Sequence, residues 1–204
     1  MIASIVRHPE LLSVESAWLQ KRMSYYCSEL GLGQEDLRAL FRSQPSAFAV
    51  DVERYLVPMT SIMREFDFSS SAVVKSGLLS RSVETVQNRI RAWNELGMTK
   101  DDLRIALRRF PRLLCYPVGD AKYQEKLAFL TGELGVDVPT AVRSFPAVMS
   151  YSLEQRIRPR VLAVKNLTGK TPTLQQLAMR EADYLRKHGV DQTTYAAFVK
   201  DMHE

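Results

Sequence analysis

Phe110-Pro111-Arg112-Leu113-Leu114-Cys115-Tyr116 returns thirty-five residues later as Phe145-Pro146-Ala147-Val148-Met149-Ser150-Tyr151. Weaker copies stand at His8-Pro9-Glu10-Leu11-Leu12-Ser13 and Gln44-Pro45-Ser46-Ala47-Phe48. One that has lost its proline stands at Lys75-Ser76-Gly77-Leu78-Leu79-Ser80. From Pro9 through Pro45, Ser76 and Pro111 to Pro146 the steps are 36, 31, 35 and 35 residues. That period belongs to stacked helical units, each burying its apolar face against its neighbours.

Each unit has the same grammar. At Leu96-Gly97-Met98-Thr99-Lys100-Asp101-Asp102, Gly97 can end one helix in the left-handed conformation and Thr99 can cap the next, with Asp102 three residues on. Leu103, Ala106, Leu107 and Phe110 follow as one apolar stripe, and Pro111 stops the helix. A tight turn at Leu113-Leu114 leads to Gly119-Asp120, which opens a second helix through Leu127, Leu130 and Leu134 to Gly135. Second helices are predicted over about 14–30, 51–63, 82–96, 120–134 and 152–167. Pro58 and Pro159 fall inside two of them, where the missing N–H should bend the axis.

The expected fold is therefore all-α, an α-solenoid of about five helical repeats with its hand left open. It comprises a repeat array over 1–170 that starts in mid-repeat at Ile2–Val6 and C-terminal capping helices over 171–204. Thr171-Pro172-Thr173 starts the cap, with Leu174, Leu177 and Tyr184 as its apolar face up to Gly189. Tyr195, Phe198 and Val199 predict one more short helix.

Composition narrows the function. At 204 residues, 46% hydrophobic and 25% charged, the chain is ordinary for a globular protein. No apolar run nears the roughly 20 residues that span a bilayer. Cys27 and Cys115 share no zinc spacing with one another or with His8, His188 and His203, and read as small core residues. No phosphate loop or serine elbow is present, so neither an enzyme nor a cofactor, metal or small-molecule substrate is expected. Trp18 and Trp93 read as core.

Charge is uneven. Residues 101–170 hold 12 Lys+Arg against 7 Asp+Glu; residues 1–100 hold 12 against 11, and the remainder 4 against 5. A basic stripe on stacked helices can follow a phosphate backbone. Arg42, Arg108 and Arg143 share one phase, three residues before the repeat proline, and Arg38 and Arg104 precede two of them by a helical turn. With Arg109 and Arg112 these are candidate phosphate ligands; the plain alternative is a solvated face that complements the helix dipole. Arg156, Arg158 and Arg160 form a second group, suited equally to backbone contact or to packing around Pro159. Tyr116 and Tyr151, in equivalent turns, read as half-buried covers of the turn rather than base-stacking platforms.

Leu96-Gly97 through Asp101-Asp102-Leu103 and Leu107-Arg108-Arg109-Phe110-Pro111-Arg112-Leu113-Leu114 resemble the repeat of the mitochondrial transcription termination factor (mTERF) family. Phe145-Pro146 through Ser150-Tyr151-Ser152-Leu153-Glu154-Gln155-Arg156-Ile157-Arg158-Pro159-Arg160-Val161 is similar to its C-terminal repeats, and Leu174 to Tyr184 to its closing segment. Ser76 departs from the pattern, as does Asp67, which stands where glycine is usual. The resemblance implies an organelle protein, of the mitochondrion or chloroplast, that binds double-stranded DNA or ribosomal RNA and affects transcription, splicing or ribosome assembly. The alternative is a protein-binding helical scaffold, or a subunit of a large organelle complex such as the mitochondrial ribosome, with a protein neighbour at the N-terminal end or at Tyr195 and Phe198.

Overall fold

In a computed structural model the structure describes residues 15–202. The copy of the repeat turn at Pro9, the mid-repeat start at Ile2–Val6 and His203 lie outside the described residues. Among the described residues there are eleven α-helices and no strand, and the chain divides into two compact units, Met1–Pro117 and Val118–Glu204. The fold is an all-α helical-repeat array.

In the unit Met1–Pro117, α1 (Ser16–Leu30) is a second helix and ends at Gly31 with φ 61°. A first helix, α2 (Gln34–Ser43), follows, and then a 3-10 turn, Pro45–Ala49. The next second helix opens as a π-turn, Val52–Leu56, and continues as α3 (Val57–Glu65). The pattern repeats through α4 (Ser70–Ser76), the turn Leu78–Ser80 and α5 (Val83–Glu95). It begins again with α6 (Lys100–Arg109) and the turn Leu113–Cys115. First helix packs on first helix, α2 against α4, and α4 packs in turn on Leu113–Cys115.

The unit Val118–Glu204 contains α7 (Ala121–Leu134), α8 (Val138–Ser144), the turn Pro146–Ser150 and a π-turn at Leu153–Ile157 that leads into α9 (Arg158–Thr168). The segment expected as one capping helix is two pieces, a 3-10 turn at Leu174–Ala178 and α10 (Glu181–His188), followed by α11 (Gln192–Asp201). The first piece packs against the preceding repeat turn, Pro146–Ser150, and so occupies the place of a repeat turn itself.

Local chemistry accounts for the elements. Thr99 and Asp102 form the expected capping box. Asp51, Ser82 and Ser152, each six residues after the repeat position, accept from the N–H three residues on. Pro58 and Pro159 are the second residues of α3 and α9, and each follows a π-turn, in which Leu56 donates to the Asp51 carbonyl and Ile157 to the Ser152 carbonyl. The wider ring makes room for the pyrrolidine where an α-turn would clash. Second helices lacking that proline, α5 and α7, begin as plain α-helix.

The middle repeat keeps its turn without proline because the buried Ser76 hydroxyl donates to Val73 O (2.8 Å) and accepts from Leu78 N (3.1 Å). Two sequence expectations are corrected. Cys27 is exposed rather than core, because the buried side of α1 runs through Arg22 and Tyr26 and Cys27 lies a further 100° round the helix. Trp18 is 36% exposed, whereas Trp93 is fully buried.

Candidate nucleic-acid interface

The basic residues fall into two populations according to which helix of the repeat carries them. The second helices send donors to carbonyls in and just after the 3-10 turn of the next repeat, where the chain turns extended and the helical ladder ends. Tyr26 Oη donates to Ala47 O (2.6 Å) and Arg22 Nε to Val50 O (2.5 Å). Tyr55 Oη donates to Leu78 O (3.1 Å) and to Arg81 O, and Arg89 Nη1 donates to Leu114 O (2.8 Å). Lys126 Nζ donates to Met149 O (2.9 Å).

At the last turn the same task takes two arginines. Arg156 donates to the carbonyls of Leu177 (3.0 Å), Ala178 (2.9 Å) and Met179 (3.3 Å). Arg160 donates to those of Leu177 (3.1 Å) and Met179 (2.8 Å). Desolvation lowers the pKa of the buried Arg22 and Arg160 guanidinium groups and brings Lys126 down to about 8. Of the second sequence-predicted group, then, Arg156 and Arg160 do share a helix face, and that face is turned to protein carbonyls. Arg158 bridges Glu125 (2.6 Å) and Glu154 (3.1 Å) over the Phe129 ring.

The first helices carry the other population. Arg42 in α2, Lys75 in α4, Arg108 and Arg109 in α6 and Arg143 in α8 occupy the last helical turn, and all five are exposed. Among second helices only α3 and α9 have a basic residue there. Those two are held by the helix end one repeat earlier, Arg64 by Glu29 (2.5 Å) and Lys165 by Glu133 (2.8 Å). A cation complements the C-terminal dipole of any helix. The dipole therefore does not explain why α1, α5 and α7 have none while every described first helix has one.

Arg38, one turn before Arg42, is exposed and paired with Glu35. Arg104 is more enclosed: Nε donates to Glu65 O (3.0 Å) and lies 3.6 Å from Asp67, while Nη1 meets Asp101 (3.1 Å). Arg108 Nη2 lies 3.3 Å from the same Asp67 carboxylate. Arg112 is exposed just beyond α6. Lys75 escapes the sequence pattern because it sits one residue before Ser76, out of phase with the arginines three residues before each proline. Its position in the last turn of a first helix is the signal that would have found it.

Tyr116 stacks on Phe110 (5.8 Å between centroids, 19° between planes), and Tyr151 packs on Phe145 (6.0 Å) with the Arg156 guanidinium 4.0 Å from its ring centroid. Both are half-buried. Among the described residues no group of His, Cys, Asp and Glu could hold a metal ion, and no helix is long and apolar enough to cross a membrane.

An all-α array of this kind belongs to the class of α-helical repeat proteins. The mTERF family model matches residues 5–185, and the chain belongs to the mTERF family. That family consists of organellar, generally non-catalytic, nucleic-acid-binding proteins.

Proposed function

We propose that the protein binds duplex DNA or structured ribosomal RNA through phosphate contacts made by the exposed cations at the ends of its first helices, and that it acts in organelle gene expression, in transcription or in ribosome assembly. In the unit Met1–Pro117 the ligands are Arg38, Arg42, Lys75, Arg104, Arg108, Arg109 and Arg112; Arg143 plays the same part in the unit Val118–Glu204. The observation that carries this reading is the recurrence of an exposed cation in the last turn of every described first helix. Arg156 and Arg160 are not part of the interface, because their donors already serve carbonyls.

Surface ion pairs do not oppose this role. A pair such as Arg108–Asp67, with the arginine side chain 65% exposed, contributes well under 1 kcal/mol and exchanges readily for a phosphate oxygen. The test is equilibrium binding of labelled duplex DNA and of a ribosomal RNA hairpin over a salt series. A steep fall of affinity with salt supports phosphate contact; no binding of either at low salt rejects it.

A second reading has its own observation. A groove of about 750 Å³ lined by Leu19, Met23, Leu37, Phe41 and Phe48 opens beside Arg38 and Arg42. It favours a role as one subunit of a larger organelle assembly, which co-purification of stable partners would test.

A further inference from the structure

Asp67 is the one described non-glycine residue with positive φ, at 54°. Gly31, Gly97, Gly135 and Gly169 end second helices with φ between 61° and 85°. An L-residue there costs on the order of 1 kcal/mol relative to glycine. What the aspartate adds is its side chain. Oδ2 lies 3.3 Å from Arg108 Nη2 and 3.6 Å from Arg104 Nε, reaching both members of an i, i+4 arginine pair on α6, the first helix one repeat beyond α4. One carboxylate oxygen between two guanidinium groups has the place and charge that a phosphate oxygen would take.

The equivalent pair in the first described repeat is an internal comparison. Arg38 and Arg42 occupy the same positions relative to Gly31 as Arg104 and Arg108 do to Gly97. Arg38 is tied to Glu35 of its own helix, and Arg42 Nε donates to the Arg38 carbonyl (3.2 Å). Among the described residues a carboxylate from an earlier repeat thus meets the Arg104–Arg108 pair; the repeat that precedes Arg38 and Arg42 lies outside them.

We infer that Arg104 and Arg108 form an anion site for a backbone phosphate and that Asp67 is its resident competitor, an autoinhibitory contact that a polyanion must displace. This rests on the interface reading above and assigns one residue the task of setting its affinity. Asp67 is 48% exposed and Arg108 65%, so the contact opens without any unfolding. Because it is made between charges in water, it weakens with salt along with the phosphate contacts it opposes.

The test is binding of labelled duplex DNA and the ribosomal RNA hairpin to the full chain, with Asp67→Asn as the principal variant. Asparagine keeps the shape and tolerates the left-handed backbone. Asp67→Gly serves as a second variant that removes the side chain and relaxes the backbone. Both are expected to bind about threefold more tightly than wild type at low salt. The gain should vanish when Arg104→Gln and Arg108→Gln are added. Glu84→Gln, an exposed charge elsewhere on the same unit, should leave affinity unchanged. A gain of the same size without the two arginines, or in Glu84→Gln, means a general charge effect and overturns the proposal. Wild-type binding that neither Asp67 variant changes overturns it alone; no binding by any of these proteins overturns it together with the interface reading.

Discussion

Lys126 Nζ donates to the Met149 carbonyl at 2.9 Å from a side chain that is 2% exposed, one helix reaching the turn that opens the following second helix. Burial holds the ammonium at about 8 against an ordinary 10.5. A depressed lysine pKa means that the unfolded chain binds more protons than the native one between these two values, so this group makes stability rise with pH across that window. Urea unfolding of wild type and Lys126→Met, followed from pH 8 to 10.5, should show the rise in wild type and lose it in the variant. Identical pH profiles would contradict the assignment.

Arg160 and the arginines at the ends of the first helices should separate stability from binding. Arg160→Met takes one of two donors from each of the Leu177 and Met179 carbonyls, which Arg156 continues to serve, in a nearly closed site, at a cost of about 2 kcal/mol. Duplex affinity per folded molecule should be unchanged. Chemical denaturation paired with binding at saturating fold checks both halves.

Gly77 tests the shortened middle repeat. Its φ is 73°, and a Cβ there would lie 3.3 Å from Cys115 Sγ, whereas a Cβ on Gly135, at φ 65°, would meet open space. Gly77→Ala and Gly135→Ala share the backbone cost of about 1–2 kcal/mol, but Gly77→Ala carries an additional steric cost of about 1 kcal/mol. Combining it with Cys115→Ala should recover that excess and nothing more, as read from thermal or urea unfolding of the four proteins.

Much of the architecture is legible in sequence because its determinants are local. Glycines at 31, 97, 135, 169 and 189, the Thr99–Asp102 box and the repeat prolines act over four residues or fewer, and the helices fall close to the expected limits. The π-turns are not legible, since Pro58 and Pro159 within helical stretches announce a disturbance without saying which one. The cap departs from expectation for a tertiary reason: Leu174–Ala178 takes the shape of a repeat turn because Arg156 and Arg160 satisfy its carbonyls.

The same hydrogen bonds explain the uneven legibility of the basic residues. An arginine beside an apolar stripe looks alike in sequence whether it meets water or a carbonyl one repeat away. Phase holds the missing clue: Tyr55 and Arg156 both stand ten residues after a repeat proline, and Arg22 and Arg89 both stand thirteen after the repeat position. A position filled now by tyrosine, now by arginine, is defined by a donor and not by a charge.

The most direct test of the account is the salt slope of duplex binding in wild type and in Arg108→Gln/Arg109→Gln/Arg112→Gln. Removing one phosphate ligand should lower the slope of log K against log salt by about 0.9 on B-DNA, so the triple variant should be shallower by roughly 2 to 3 with its unfolding curve unchanged. A slope and affinity equal to wild type would show that these cations do not touch the nucleic acid.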